Sequence, residues 1–513
     1  MTRAGTAQLL QLAAVLAAAA GLYLAHSLLR FRNFEARGYD LGIFDQAVRQ
    51  YSRFEAPYVP IKGEGFHILG DHFHPIIALL APLYWVWDDP RVLNLALIAL
   101  LISAVPPVYL IIRGWFGHMS ALLASVAMLL WWPFQAFLNW DFHEIAFGVP
   151  VLAWVLWAVE RRRSWLAVGL GSLLLLVRED MGATLVAVGL VLALRRHWAP
   201  AAAAVVLGAA GLWFAVSVAI PHFAADGEFS YWEYTALGAG ASAAAVVLVT
   251  QPWSVLPVLV DHPLKIALLT AHFLPLWLLP LVSPYVLIGL PILVSRLLND
   301  RLTVWGLVYQ YDAILVPVFL IAAFDVLRRI RDARKGTHVP CTERTWRRRM
   351  VRPEVLLPSG MIGLSLAGGA VLSVTVDDEY QIFPLHRTYT GDNWTLDERA
   401  EAHQRAVEAV PDGACVEAAD TVAPRLTGKS YVGLAGTLEE GRVDWLIIDA
   451  HSDELGGNDP MTPEEAFARA ERLGFAPVIS DDHGLWTLSR DVPADPHCAE
   501  YVDTAPQEEG GSR

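Results

Sequence analysis

Two motifs dominate the polar stretch that follows the first apolar run. Residues 38–52 (GYDLGIFDQAVRQYS) carry Asp40, Asp45 and Arg49, and FHILGDHFHP adds His67, Asp71, His72 and His74. Carboxylates and imidazoles hold divalent metals or move protons near neutral pH. Asp45 and Asp40 are therefore the catalytic candidates, with Asp45 slightly favoured because FDQ follows a Gly42 turn. On one continuous helix their separation sets them about 140° apart, so they take different roles. Asp71, His72 and His74 are compact enough to ligate a divalent metal ion, although DHFHP lacks the second ligand pair of a zinc site. A solvated loop, with these groups hydrogen-bonding or capping helices, is the alternative.

Three further clusters follow. NWDFHEIAFG places Asp141, His143 and Glu144 between two apolar runs, and VREDMG places Arg178, Glu179 and Asp180 between two more. Ionisable groups at such depth are costly and mark a functional cavity; a short wetted turn with Arg178 paired to a neighbour is the bland reading. SRLLNDRLTVWGLVYQYDAILVP brings Arg296, Arg301, Tyr309, Gln310, Tyr311 and Asp312. Arginine can clamp phosphate oxygens, and tyrosine or glutamine can bind a polar headgroup. Anchoring in an interfacial aromatic belt equally explains the tyrosines. All of these groups except Asp312, which enters the tenth span, are assigned to substrate binding.

The elements that must position these residues are membrane helices. Of 513 residues, 55% are hydrophobic and 18% charged, with 19 Trp; soluble domains carry roughly 25% charged residues. Disordered, collagenous and disulfide-stapled classes are excluded. Apolar runs predict eleven spans near 7–29, 91–112, 119–138, 145–160, 165–178, 181–195, 199–220, 264–282, 284–298, 308–327 and 354–376, given about 20 residues per crossing. With the N-terminus in the cytoplasm, every sizeable basic loop falls inside, including 328–352 with its ten Lys or Arg residues. All four polar clusters then fall on the outer face. Residues 75–87 and 239–262 are apolar but short or Pro-broken, and read as interfacial or re-entrant.

The transmembrane part, 1–376, carries 23 acidic and 28 basic residues, whereas 377–513 carries 29 acidic and 10 basic. Such a tail argues against nucleic acid as a partner. Residues 377–505 read as a small outer α/β domain with helices at 396–410 and 462–474 and strands at 414–418, 431–435, 444–449, 476–479 and 485–489. Residues 506–513 read as a disordered tail. Cys415 and Cys498 either pair, in an oxidising compartment, or remain thiols.

In this order and spacing, GYDLGIFDQ, LGDHFHP, APLYWVW, DFHEIAFGVP, VREDMG and YQYDAILVP resemble a bacterial and archaeal family of predicted polytopic membrane proteins of unknown function, over roughly residues 30–450. That family is similar to the GT-C membrane glycosyltransferases. The resemblance implies a mainly α, GT-C-like membrane fold and sugar transfer from a polyprenyl-phosphate donor to a glycan, protein or lipid acceptor on the outer face. It implies a first-loop acid, Asp40 or Asp45, as base or metal ligand, and a divalent ion as cofactor; the loop departs from the GT-C pattern in having no DxD or Asp-Glu pair. The expected setting is the cell membrane, multi-pass, with the C-terminal domain extracellular. A transporter or flippase, expected to show repeated interrupted spans, and a non-catalytic envelope scaffold are the competing functions.

Overall fold

Length decides which apolar runs become through-going helices. In the computed structural model, which describes residues 3–336, 352–372, 375 and 381–503 except 454, 458, 459, 481 and 494, five helices are long and apolar enough to cross a bilayer: Gly5–Arg32, Arg91–Phe116, His118–Asn139, Trp198–Phe223 and Pro353–Leu372. They coincide with five of the expected spans. The other six apolar runs are shorter or interrupted. Ser164–Leu176, Met181–Leu194 and Val286–Leu298 have fewer than 18 residues. Gly148–Glu160 and Val316–Gly336 are each entered through a 3-10 turn, at Glu144–Phe147 and Gln310–Leu315. The run at 264–282 ends its helix at Phe273, then turns through Trp277 and Leu278 with φ of 56° and 57°. Such breaks are tolerated inside a bundle, where neighbours satisfy the freed backbone groups.

The two doubtful apolar stretches are short or broken, as their composition predicts. Ser242–Thr250 and Pro252–Val260 meet at a bend of 102°, where Pro252 offers no N–H and disfavours helical backbone at Gln251. Pro75–Tyr84 is likewise too short to cross.

Helix direction sorts the loops into two ends. At one, Glu160 accepts from Trp115 Nε1 at 3.2 Å, Arg195 Nη2 at 2.5 Å and Arg328 Nη1 at 3.2 Å. The basic loops that begin near residues 113, 160, 195 and 328 therefore gather together. The opposite ends of the same helices carry Arg91 and Glu144. The basic stretch 337–351 and the expected disordered tail 506–513 lie outside the described residues.

The C-terminal region forms a five-stranded sheet from β1 (Cys415–Glu417), β2 (Tyr431–Gly433), β3 (Trp445–Asp449), β4 (Ala476–Ser480) and β5 (Leu485–Ser489), in the order β2-β1-β3-β5-β4. β1 runs parallel to β2 and β3, while β5 is antiparallel to β3 and β4. The helix Pro463–Arg472 starts on a capping box in which Thr462 and Glu465 satisfy each other's backbone N–H. Cys415 and Cys498 form a disulfide that ties the last helix, Pro496–Asp503, to β1.

The sheet is fastened to the first loop. Gly38 N–H donates to the Asp420 carbonyl at 2.7 Å, Tyr39 N–H to its Oδ1 at 2.8 Å, and Gln46 Nε2 to the Val432 carbonyl at 2.8 Å. Arg387 grips Glu35 with two bonds of 3.1 and 2.9 Å. A methyl group on Gly38 would collide with the Ala423 side chain, so only glycine lets the two backbones approach this closely.

Candidate functional site

The first loop starts as a π-helical turn, Gly38–Gly42, that runs directly into the helix Ile43–Ser52. This turn separates the two aspartates. Asp40 lies on the wall of a polar cleft of about 460 Å³ between the bundle and the sheet domain, with Arg30, Arg37, Asp141, Arg387 and His403 among its neighbours. His143 Nε2 is 3.2 Å from Asp40 Oδ1. Asp45, in contrast, is fully buried, holding Arg49 at 3.2 Å and the Tyr84 hydroxyl at 2.6 Å. It lines neither this cleft nor the cavity described next.

Asp141 adopts φ 61°, a left-handed geometry that aspartate tolerates, and so reverses the chain before Glu144. Its carboxylate is held by Arg30 Nη1 at 3.0 Å and by Asn94 Nδ2 at 2.9 Å. Burial pushes the Asp420 carboxyl up to about 6, and the charge of the neighbouring Asp40 pushes the same way, against the two backbone N–H donors. Carboxylates and cations alternate through this cleft.

A cavity of about 520 Å³ lies beside it. One wall is apolar, with Leu212, Trp213 and Val216; the other carries His72, Arg178, Glu179, Asp180, Arg301 and Tyr311. Arg178 makes a fork onto Asp180 at 2.8 and 2.7 Å and lies 3.8 Å from Glu144. His72 Nδ1 is 2.8 Å from Glu179 Oε1, and its ring stacks on Tyr231 at 4.5 Å between centroids. Burial works against the imidazolium, but the Glu179 carboxylate, aided by Asp71 and Glu144, overcomes it and raises the His72 pKa to about 9. Glu179, despite its own burial, is held below the usual carboxylate range by His72 and Arg178. At neutral pH this wall is an ion-paired network containing an imidazolium.

Asp71, His72 and His74 do not converge on one point. Asp71 takes Lys62 Nζ at 2.9 Å and the Tyr231 hydroxyl, His72 takes Glu179, and His74 packs its buried ring beside Phe44. Asp71 closes the 3-10 turn Ile68–Gly70 in helical backbone, whereas His74 opens the next turn, Pro75–Leu80, from non-helical backbone. Among the described residues no group of three or more His, Cys, Asp or Glu is arranged to hold a metal ion. With Lys62 at Asp71 and Arg178 among the nearby carboxylates, the donor set does not fit a divalent ion, and cations of the chain itself occupy that place.

The late cluster divides as well. Arg296 is buried and spends both Nη groups on Asp312, which also accepts from His272 Nε2 at 2.6 Å, so it braces the fold although it borders the cavity. Arg301 is about half exposed, 3.4 Å from Glu233, and faces the cavity. Tyr309 packs on Trp140 at 4.5 Å and on Tyr311 at 6.1 Å, forming a row of rings from the polar cleft to the cavity. Gln310 is buried, with its Oε1 lacking a partner among the described residues.

Residues 30–478 match the model of a family described as predicted membrane protein (DUF2079). The chain belongs to that family. Among solved structures it is similar to ArnT from Cupriavidus metallidurans bound to undecaprenyl phosphate, with 14% identity, a TM-score of 0.54, and coverage of 93% of this chain and 97% of that one. The apo state of the same protein gives 14% identity, a TM-score of 0.53, and coverage of 95% and 98%. No curated protein matches the sequence. The DUF2079 chain is thus a polytopic helical membrane protein with a GT-C-like fold and a small C-terminal sheet.

Sequence reasoning missed several residues of this DUF2079 site. Arg30 and Arg37 flank the first span and could have been read as cations held at its end. Tyr231 belongs to the aromatic run YWEY, whose density in a polar loop was the available signal. Asp420 carried none, because its place depends on the sheet domain meeting Gly38 and Tyr39.

Proposed function

We propose that this protein is a membrane glycosyltransferase that moves a sugar from a polyprenyl-phosphate donor to a hydroxyl acceptor on the extracytoplasmic face. The prenyl chain lies along the apolar wall of Leu212, Trp213 and Val216. The donor phosphate sits against Arg301, Arg178 and the His72 imidazolium, whose charges suit a phosphate diester.

The acceptor enters through the polar cleft. Asp40 takes the proton from its hydroxyl; the oxygen attacks the anomeric carbon from the side opposite the phosphate. The carbon–oxygen bond to the phosphate breaks, its electron pair leaves with the phosphate oxygen, and the sugar configuration inverts. Fixed cations facing the leaving oxygens stabilise charge where it develops. His143 positions Asp40, and Asp141 with Arg30 holds the turn that presents His143.

One observation carries this reading: a cavity of about 520 Å³ with both apolar and cationic lining residues is linked to the polar cleft of Asp40 by the ring row Trp140, Tyr309 and Tyr311. Similarity to a fold whose solved example holds undecaprenyl phosphate supports the donor class. The test is transfer from a panel of undecaprenyl-phosphate sugars by the purified protein in nanodiscs. Asp40→Asn is expected to lower turnover 10²- to 10⁴-fold, as loss of a general base does, with an unchanged melting temperature. Donor consumption at the wild-type rate by Asp40→Asn would remove Asp40 from the mechanism.

A further inference from the structure

A third space, of about 530 Å³, lies between the end of the first helix, the turn before Arg91 and residues 424–429 of the sheet domain. Among the described residues its lining holds Arg32, Arg49, Arg91, Arg425 and Lys429 against Asp88 and Asp89. Some of this charge is neutralised locally. Arg91 forks onto Asp89 at 2.7 and 2.6 Å, and Arg49 is shared between Asp45 and Asp88.

Three cations are bonded to neutral oxygens. Arg425 donates to the Phe31 carbonyl at 2.6 Å, Lys429 to the Val407 and Val410 carbonyls at 2.9 and 2.7 Å, and Arg32 to the Trp394 carbonyl. A carbonyl satisfies a donor without cancelling its charge, so positive potential remains in the cleft. Burial, and after it the neighbouring Arg91, push Arg425 down to about 10 against the pull of Asp89, so it stays charged at neutral pH.

The depth of the cleft is fixed by its neighbours. Phe54, Trp85 and Val86 are 86%, 61% and 88% exposed, and the Arg91 guanidinium rests on the Trp87 ring at 5.0 Å. Exposed aromatic and apolar side chains beside the end of a span mark the membrane interface. The cations thus face the level at which lipid phosphates lie.

We propose that this cleft binds a phosphate group at the membrane interface, presented by an anionic phospholipid headgroup, at a site separate from the transfer centre. Guanidinium and ammonium donors around one opening suit phosphate oxygens, and Leu28 and Phe31 on the wall suit the adjoining acyl chain.

The experiment is native mass spectrometry of the full chain in detergent, titrated with phosphatidylglycerol, with phosphatidylcholine, and with inorganic phosphate. Phosphatidylglycerol is expected to be retained at least tenfold more strongly than phosphatidylcholine, and R32Q/K429Q to weaken that retention about tenfold. Should that pair compromise folding, Asp88→Asn gives the opposite sign, since removing a carboxylate from the rim should tighten binding. A response to phosphatidylglycerol identifies a lipid headgroup, and a response to inorganic phosphate alone identifies a soluble anion; either one supports the site if the variants shift it. Equal retention of both lipids without a phosphate response, or responses that no variant alters, would overturn the proposal.

Discussion

Asp40 and Asp45 occupy opposite circumstances five positions apart. Asp45 sits under Tyr84 with both oxygens engaged by Arg49, and neither residue reaches solvent to an appreciable degree. Removing one partner of a buried ion pair typically costs about 3 to 5 kcal/mol, because the other charge is left uncompensated. Asp45→Asn should therefore lower the melting temperature in detergent, whereas Asp40→Asn should leave it unchanged and lower transfer about 10²- to 10⁴-fold; an equally stable Asp45→Asn would show that Asp88 alone can hold Arg49. His72 gives a pH signature. Its folded pKa, about 9, lies above the ordinary 6.5, so its stabilising charge is complete below about 6.5 and is lost as pH rises through about 9. Donor affinity, measured by lipid-phosphate retention across pH 7 to 10, should fall through that window, and in His72→Gln the step should disappear with affinity about tenfold lower. The clusters themselves were legible as ionisable residues between apolar runs, because such groups are costly near lipid. Partner choice was not, since Asp71 meets Lys62 and Tyr231 only after two loops fold together.

Element geometry explains which residues reach the site. The π-helical turn at Gly38–Gly42 precedes the helix that starts after Gly42, and it forms where Gly38 and Tyr39 bond to Asp420. A sequence holds no local signal for that clasp. The strands of the sheet, by contrast, follow their short β-rich runs closely, since alternation and flanking glycine, proline and acidic turns act locally. The breaks inside apolar runs were hidden because hydropathy averages over them; neighbouring helices repair their backbone bonds. One helix pair bears directly on the Arg178–Asp180 turn. Met181–Leu194 packs against Trp198–Phe214 so closely that a methyl group on Gly182 would collide with the Gly208 carbonyl, and one on Gly208 with the Gly182 carbonyl. Small residues at such crossings let membrane helices approach and gain packing. Gly182→Val should separate the pair, cost about 1 to 3 kcal/mol as overpacking does, and displace the turn that ends two residues earlier, at Asp180. Melting temperature and donor retention should fall together; a folded variant with unchanged retention would disconnect the helix crossing from the site.

At the scale of the whole molecule, charge and chemistry separate to opposite ends of the same helices. The helix that begins near Glu144 ends at Glu160, and the one that begins at Arg91 ends beside Trp115, so the ion pairs around Glu160 lie a bundle length from the polar cleft. Short loops rich in Lys and Arg are retained in the cytoplasm, and from that rule we predict the Glu160 end inside and the sheet domain outside. The Cys415–Cys498 disulfide agrees, because such bonds persist in oxidising compartments. Two single cysteines test this in a Cys341→Ser background, where the remaining pair is bonded. Glu408→Cys lies on an exposed position of the sheet domain and Arg162→Cys on an exposed position of a basic loop. An impermeant maleimide applied to intact cells should label Glu408→Cys at once and Arg162→Cys only after permeabilisation. The reverse pattern would put Asp40, His72 and Arg301 on the cytoplasmic side. A polyprenyl-linked donor presented outside could not then reach them, and the extracytoplasmic transfer reaction would have to be abandoned along with the topology.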